Sequence, residues 1–332
     1  MMVLGIETSC DETSAAVVAS GPRLLGQVLL SQAALHEPFG GVVPEIACRS
    51  HVDSLTRVIE EGLRRSGVGP GDLSGVAVAY RPGLIGALLI GVTTAKALAW
   101  GLPLIAVDHL EAHLEAPLLG GERPEMPYLG VVLSGGHTDL YHVVEGGRHR
   151  IGHTRDDAIG EAFDKVAAIL GLGYPGGPAI EREAEGGDAG SIGLPRALLE
   201  PGSLDFSFSG IKTAVLYLWR GQNVRARGPV PAAPPRADIA AAFQTAVGDV
   251  LVEKIRRAIG ATGLLRVVFG GGVTANRGLR ALLEEGLDGV AQQIVFPPIE
   301  FSTDNGAMIA ARGLTLLERG EVASLDLEAR AS

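Results

Sequence analysis

Cysteine, long hydrophobic runs, basic charge and a phosphate-loop signature are all scarce or missing in this chain. Its 332 residues hold two cysteines, Cys10 and Cys48, too few for a disulfide framework and in keeping with a reducing compartment, the cytoplasm by default. The longest apolar stretch, Leu84 to Val92, is broken by Gly86 and followed by Thr93-Thr94-Ala95-Lys96. That is well short of the roughly 18 residues that a membrane span requires. Met1-Met2-Val3-Leu4-Gly5 runs straight into a strand pattern without the charged stretch and cleavage site of a signal peptide. Lys and Arg number 28 against 38 Asp and Glu, a net charge of -10, which speaks against a broad, sequence-independent grip on phosphate backbones. A nucleic-acid partner would need a local basic patch, for which Arg148 to Arg155 and Arg220 to Arg236 are the candidates, or help from a second protein. Ser209-Gly210-Ile211-Lys212-Thr213 lacks the Gly-Lys pair of a Walker A loop.

What is present is the composition of a folded enzyme: 46% apolar residues, 20% charged, and a length that suits two domains. Gly 47 and Pro 19 sit in discrete clusters, so they signal tight turns and loops through which backbone can approach a ligand.

Two segments resemble each other, Leu4-Gly5-Ile6-Glu7-Thr8-Ser9-Cys10-Asp11-Glu12-Thr13-Ser14 and Leu129-Gly130-Val131-Val132-Leu133-Ser134-Gly135-Gly136-His137-Thr138-Asp139. Each reads as a β-hairpin, and each opens about half of the chain. The pair predicts a duplicated α/β unit with a ligand cleft between the copies. Between them, Val52 to Arg65 and Ile85 to Leu98 have helical spacing, and Val76–Ala79 and Leu104–Val107 are short buried strands. The turn-rich Gly120 to Pro127 sets a lobe boundary near residue 125. Further on, Ala158 to Leu170, Asp238 to Ile259 and Ala275 to Glu285 read as helices, Gly171 to Pro178 as a loop and Val267–Phe269 as a strand. A last helix from Asp304 onward, after Pro297-Pro298, is placed to pack back on the first lobe. The expected domains are 1–125 with about 304–320, and 126–303.

His109-Leu110-Glu111-Ala112-His113 sets two imidazoles at i and i+4, on one helix face, where both can reach one metal ion. A zinc-protease helix needs its Glu directly after the first His, whereas Glu111 lies about 200° round the helix. The pair serves equally well as two surface or helix-end histidines. Asp304, in Phe301-Ser302-Thr303-Asp304-Asn305-Gly306, can supply a third ligand or cap the helix that follows, as can Ser302 and Thr303. Two histidines and one carboxylate leave coordination positions open, a set suited to Fe(II), Zn or Mn.

Val267 to Asn276 is a strand, a glycine turn and a helix start, formally G-x-G-x-x-A. The acidic residue that a dinucleotide site needs about 20 positions on is replaced by a strand ending in Pro297, which excludes NAD. Asn276 can bind a ribose or base, or cap its helix. Successive N–H groups around Ser134-Gly135-Gly136 can form an anion nest. Glu161, Asp164 and Lys165 share a helix where Glu161 and Lys165 suit a plain i,i+4 pair, and Glu181 and Glu183 begin the next.

Taken together, Gly5 to Thr13, Gly40-Gly41-Val42-Val43-Pro44-Glu45, His109-x-x-x-His113, Ser134 to Thr138, Gly160 to Lys165, Tyr174 to Pro178, Phe206 to Thr213, Gly270 to Asn276 and Thr303 to Gly306 resemble the TsaD (Gcp/YgjD) family. The resemblance implies an α/β fold of two duplicated actin-like (ASKHA, RNase H-like) lobes. It implies the last step of threonylcarbamoyladenosine synthesis: transfer of threonylcarbamoyl from threonylcarbamoyl-AMP to N6 of the adenosine next to the anticodon, in tRNAs reading A-starting codons. By position, His109, His113 and Asp304 match the metal ligands, with Fe(II) expected. Val132, Leu133, Ser134, Gly135 and Gly136 match the substrate loop, and Asp164, Gly177, Glu181 and Asn276 match adenylate-binding positions. His137 is a candidate for proton transfer or for shaping its loop. Implied partners are tRNA, a TsaB-like paralogue and a TsaE-like ATPase. The rival readings are an actin-fold kinase or ATPase acting on a small molecule, a non-catalytic scaffold like the paralogue, and a metalloprotease, which the position of Glu111 disfavours.

Overall fold

A computed structural model describes residues 1–221 and 233–332, so most of the basic stretch Arg220 to Arg236 lies outside the described residues. The chain forms two compact units, residues 1–123 with 297–332 and residues 124–296.

In the first unit, β1 (Met2–Glu7), β2 (Glu12–Ala19), β3 (Arg23–Ser31), β4 (Gly75–Arg81) and β5 (Leu104–Asp108) form one sheet in the order β3-β2-β1-β4-β5. The first three strands are antiparallel and β4 and β5 join parallel to β1. Helices α1 (Ala33–His36), α2 (Pro44–Ser66), α3 (Ile85–Leu98) and α4 (His109–Glu115) belong to this unit. Helix α2 begins eight residues earlier than its apolar spacing indicates, because Pro44 stands in the first turn, where a missing N–H costs nothing. Alternation along the strands sends side chains to two cores. Leu4, Ile6, Val76 and Val78 pack with Leu55, Val58 and Val92 of α2 and α3, while Val3, Ala77, Ala79 and Val107 pack with Ala112 and the C-terminal helix.

The second unit repeats this plan. Strands β6 (Tyr128–Leu133), β7 (Thr138–Val144), β8 (Gly147–His153), β9 (Arg266–Gly270) and β10 (Gln293–Val295) run in the order β10-β9-β6-β7-β8, with β6, β7 and β8 antiparallel and β9 and β10 parallel to β6. Helices α5 (Ile159–Leu170), α6 (Gly176–Ala184), α7 (Ser209–Arg220), α8 (Arg236–Thr262) and α9 (Arg277–Leu287) accompany it. The two hairpins read from the internal similarity are β1–β2 and β6–β7, the same pair in each copy. Phe163, Phe206, Phe208, Phe243 and Phe269 fill the core of this unit.

The last helix, α10 (Gly306–Glu318), returns to the first unit. The return starts at Pro297 rather than near 304, because the short turn Ile299–Phe301 already packs against the 3-10 turn Ala116–Gly120 of the first unit. α10 lies so close to β1 that a side chain on Gly5 would overlap Gly306 O and Ala310 N. The loop expected over 171–178 is shorter than its Gly and Pro content suggests. Helix α6 starts inside it, at Gly176, whose N–H donates to Asp164 Oδ1 at 2.7 Å and so finds the partner that a helix start lacks.

Candidate functional site

In the first unit, β5 ends at Asp108 and α4 begins at His109. Asp108 is the cap: its Oδ1 accepts the N–H groups of Leu110 at 3.0 Å and Glu111 at 3.2 Å, which fixes where the helix starts and which face carries His109 and His113. Asp304 arrives from far along the chain, just before α10. The cap of α10 is Asn305, not Ser302, Thr303 or Asp304: its Oδ1 accepts the Met308 N–H at 2.9 Å. That leaves the Asp304 carboxylate to turn toward the histidines.

Three donor atoms converge there. His113 Nε2 lies 3.0 Å from Asp304 Oδ1, His109 Nε2 lies 3.5 Å from the same oxygen, and the two Nε2 atoms are 3.2 Å apart. Ligands bonded at about 2.1 Å sit roughly 3.0 Å apart on an octahedral edge and roughly 3.4 Å apart on a tetrahedral one. The three separations therefore match one ion held by His109, His113 and Asp304, and the three residues form the one such cluster among the described residues. His113 is fully buried, as is most of His109, and the rings meet edge-on at 4.6 Å.

Glu7 joins this cluster from β1, although no motif spacing marks it as a candidate. It is fully buried at the end of β1, and its Oε2 accepts the His109 Nδ1–H at 2.9 Å, which makes Nε2 the ring atom turned toward His113 and Asp304 and the one available to a metal ion. A second Glu7 oxygen accepts the N–H of Ser9. The available signal was an acidic residue closing the apolar run Val3-Leu4-Gly5-Ile6. His113 has no such support, since its Nδ1 is buried without a hydrogen-bond partner among the described residues. Burial works against a charged His109, but the carboxylates of Glu7 and Asp304 outweigh it and raise its pKa well above the usual value. Burial likewise works against a charged Asp304, and the two histidines override it and hold the carboxyl far below its ordinary range. Burial lowers His113. With its charge removed, Glu7→Gln is expected to weaken binding of a divalent ion by roughly 10–100-fold, read by competition against a chromogenic chelator.

The candidate substrate residues lie in the second unit. Val132 and Leu133 are buried at the end of β6, so only their backbone is available to a ligand. The turn that follows is closed by Ser134, whose N–H donates to His137 O at 2.9 Å and whose Oγ accepts the His137 N–H at 3.1 Å. His137 thus shapes its loop through its backbone. Gly135 and Gly136 are exposed with open space beside them, and their N–H groups reach no acceptor among the described residues. The Gly160 N–H donates to Ser134 O, and Gly271, at φ +96°, passes so near that a side chain would overlap Leu133 O.

The remaining expected residues hold the scaffold around this loop. Asp164 takes the Gly176 N–H, and Glu181 Oε1 accepts the Arg277 N–H at 2.6 Å at the start of α9. Asn276 caps α9 through Leu279 N–H at 2.8 Å and donates to Gln244 Oε1 at 2.8 Å. Gly177 sits half-buried in the first turn of α6, with open space beside it. Glu161 pairs with Lys165 at 2.8 Å, the routine i,i+4 contact. The Phe206 to Thr213 motif is tied down by two aspartates that the sequence did not single out. Asp156 accepts the N–H groups of Phe208 and Ser209 and both serine hydroxyls, and Asp157 pairs with Lys165 and Lys212. Of the basic stretch Arg148 to Arg155, on and just after β8, Arg155 is engaged by Glu200 and Asp205 and Arg148 stacks over Tyr141.

The repeated sheet defines an actin-like α/β protein of two duplicated lobes, and its first lobe carries a two-histidine, one-carboxylate cluster with the geometry of a metal site. The family described as TsaD, tRNA N6-adenosine threonylcarbamoyltransferase, matches residues 23–311. The chain belongs to that family of transferases. It is 51% identical to the tRNA N6-adenosine threonylcarbamoyltransferase of Sorangium cellulosum (strain So ce56), across 98% of this chain and 95% of the relative. It is also 51% identical to the protein of that name from Geobacillus kaustophilus (strain HTA426), across 99% and 96%. Among solved structures, full-length HypF in its phosphate- and nucleotide-bound form superposes with a TM-score of 0.61 at 14% identity, covering 97% of this chain and 56% of HypF. That likeness concerns the fold alone. No helix among the described residues is long and apolar enough to cross a membrane.

Proposed function

We propose that this chain transfers the threonylcarbamoyl group from threonylcarbamoyl-AMP to N6 of the adenosine next to the anticodon, in tRNAs reading A-starting codons. The observation that carries the reading is the convergence of His109 Nε2, His113 Nε2 and Asp304 Oδ1 in a chain that matches the transferase family over 23–311. In the transfer, N6 attacks the carbamoyl carbon, the bond from that carbon to the phosphate oxygen breaks, and AMP leaves as N6 gives up a proton. A divalent ion, which we take to be Fe(II), with Zn(II) and Mn(II) suited to the same donors, supplies Lewis-acid stabilisation of the charge that develops on oxygen.

The chain's own residues do the rest. Glu7 orients His109 and raises its basicity as a ligand. Asp304 brings negative charge to the cluster and offsets that of a cation. The exposed N–H groups of Gly135 and Gly136 suit the phosphate of the adenylate, with Val132, Leu133 and Ser134 lining the approach through backbone. Asp164, Gly177, Glu181 and Asn276 bind the adenosine moiety, and the hydrogen bonds of Asp164, Glu181 and Asn276 to the starts of α6 and α9 hold them in place for it. His137 is a candidate for accepting the N6 proton. A TsaB-like paralogue and a TsaE-like ATPase are the proposed protein partners, and the cytoplasm the proposed location. An acidic chain gains from such help in holding tRNA.

The test is to deplete the protein in its host, digest total tRNA to nucleosides and quantify threonylcarbamoyladenosine by mass spectrometry. Loss of the nucleoside, restored by the wild-type gene, is expected. An unchanged level would overturn the transferase reading in favour of a kinase or ATPase on the same fold.

A further inference from the structure

Helix α4 has only seven residues, yet its rotation about its own axis must be held closely for both imidazoles to serve one ion. Side chains end roughly 5–6 Å from a helix axis, so a turn of about 20° moves them by about 2 Å, whereas metal–ligand distances tolerate about 0.2 Å. The face that carries His109 and His113 cannot supply this restraint alone, because one ring nitrogen of His113 has no hydrogen-bond partner among the described residues.

The opposite face does supply one. Glu111 and Glu115 lie about 200–240° round the helix from His109, and both reach a single guanidinium, that of Arg312 on α10. Arg312 Nη2 donates to Glu111 Oε2 at 2.8 Å, and its Nη1 donates to Glu115 Oε1. The side chains of Arg312 and Glu115 are 11% and 13% exposed, so this is a mostly buried, charge-assisted contact rather than a solvated surface pair. α10 is the helix that Asp304 leads into, so the same two helices meet twice, once through the ligands and once through this fork.

We propose that Arg312 is a positioning residue for the three-ligand cluster. By gripping Glu111 and Glu115 from α10, it sets the rotation and height of α4 against Asp304. A planar guanidinium with two donor directions fixes both at once, which a single point charge would not. Glu111, the residue misplaced for a protease, is here an anchor on the rear of the helix. The proposal rests on the reading of His109, His113 and Asp304 as a metal site.

The test measures zinc affinity by competition with a chromogenic chelator, alongside thermal unfolding, in the full chain. Arg312→Met is expected to lower zinc affinity by about tenfold or more, the range seen when residues that orient a ligand are lost, and also to lower stability, since two carboxylates lose their buried partner. The triple variant Glu111→Gln, Glu115→Gln, Arg312→Met removes the stranded charge. It is expected to recover thermal stability but not zinc affinity, which separates positioning from mere folding and keeps the test decisive if the single variant does not fold. Unchanged zinc affinity in either folded variant would overturn the proposal while leaving the metal site intact. A wild-type chain that binds no stoichiometric zinc, or binds it equally after His113→Ala, would overturn the metal reading and this proposal with it.

Discussion

His113→Ala is expected to lose both the bound metal and the ability to restore threonylcarbamoyladenosine in a depleted host, while the protein stays folded. The separation of the two effects follows from what His113 touches. Its ring is fully buried, but among the described residues its Nε2 meets only the other two members of the cluster, Asp304 and His109, and its Nδ1 has no hydrogen-bond partner. Truncation therefore strands little and leaves a cavity worth about 1–3 kcal/mol. The cost to metal binding is larger. Sites with four protein ligands bind zinc with about 10–16 kcal/mol, a few kcal/mol per ligand, so losing one of three lowers affinity by a hundredfold or more. Metal content of the purified variant and nucleoside analysis of the complemented strain check the two halves. A variant that keeps one equivalent of metal, or that restores the nucleoside, would remove the cluster from the reaction.

Much of this was legible in the chain, and what was not has a physical reason. The i,i+4 spacing of His109 and His113 is enough to put them on one face, because helical periodicity is local. Their relation to Asp304 is not local. Whether that aspartate caps α10 or faces the histidines depends on which of four neighbouring polar residues takes the cap, and Asn305 takes it. The hairpin similarity between Leu4–Ser14 and Leu129–Asp139 pointed to duplication because each copy keeps the same strand-turn-strand pattern. The third strand of each sheet, β3 and β8, lies at an edge with mixed exposure and carries no clean alternation to announce it. Glu7 and Arg312 escaped for another reason. A buried charge is recognised by its partner, and the partners stand 102 residues away for Glu7 and His109 and 201 for Arg312 and Glu111. In Asn276 the spacing allowed two roles, and its side chain fulfils the capping one outright.

The second large effect concerns the candidate substrate loop, where two glycines are expected to behave oppositely. Gly271→Ala is expected to cost several kcal/mol and to disorder the end of β6. Gly271 sits at φ +96° and ψ 154°, a region that only glycine occupies without roughly 1–3 kcal/mol of strain, and its new methyl would overlap the backbone of Leu133. Because Val132 pairs with Gly270, relief requires β6 to shift, and Ser134 to Gly136 move with it. Gly135→Ala is the contrast. No atom lies within 4 Å of a methyl there, so unfolding should change by less than about 0.5 kcal/mol, as at other exposed positions. If the loop N–H groups take the phosphate of the adenylate, however, that methyl obstructs close approach, and AMP binding should weaken about tenfold. Thermal unfolding and calorimetric AMP titration of the two variants test both statements. A Gly135→Ala protein that binds AMP like the wild type would take the phosphate away from this loop, and a Gly271→Ala protein of normal stability would show that the β6 end yields more readily than its packing indicates.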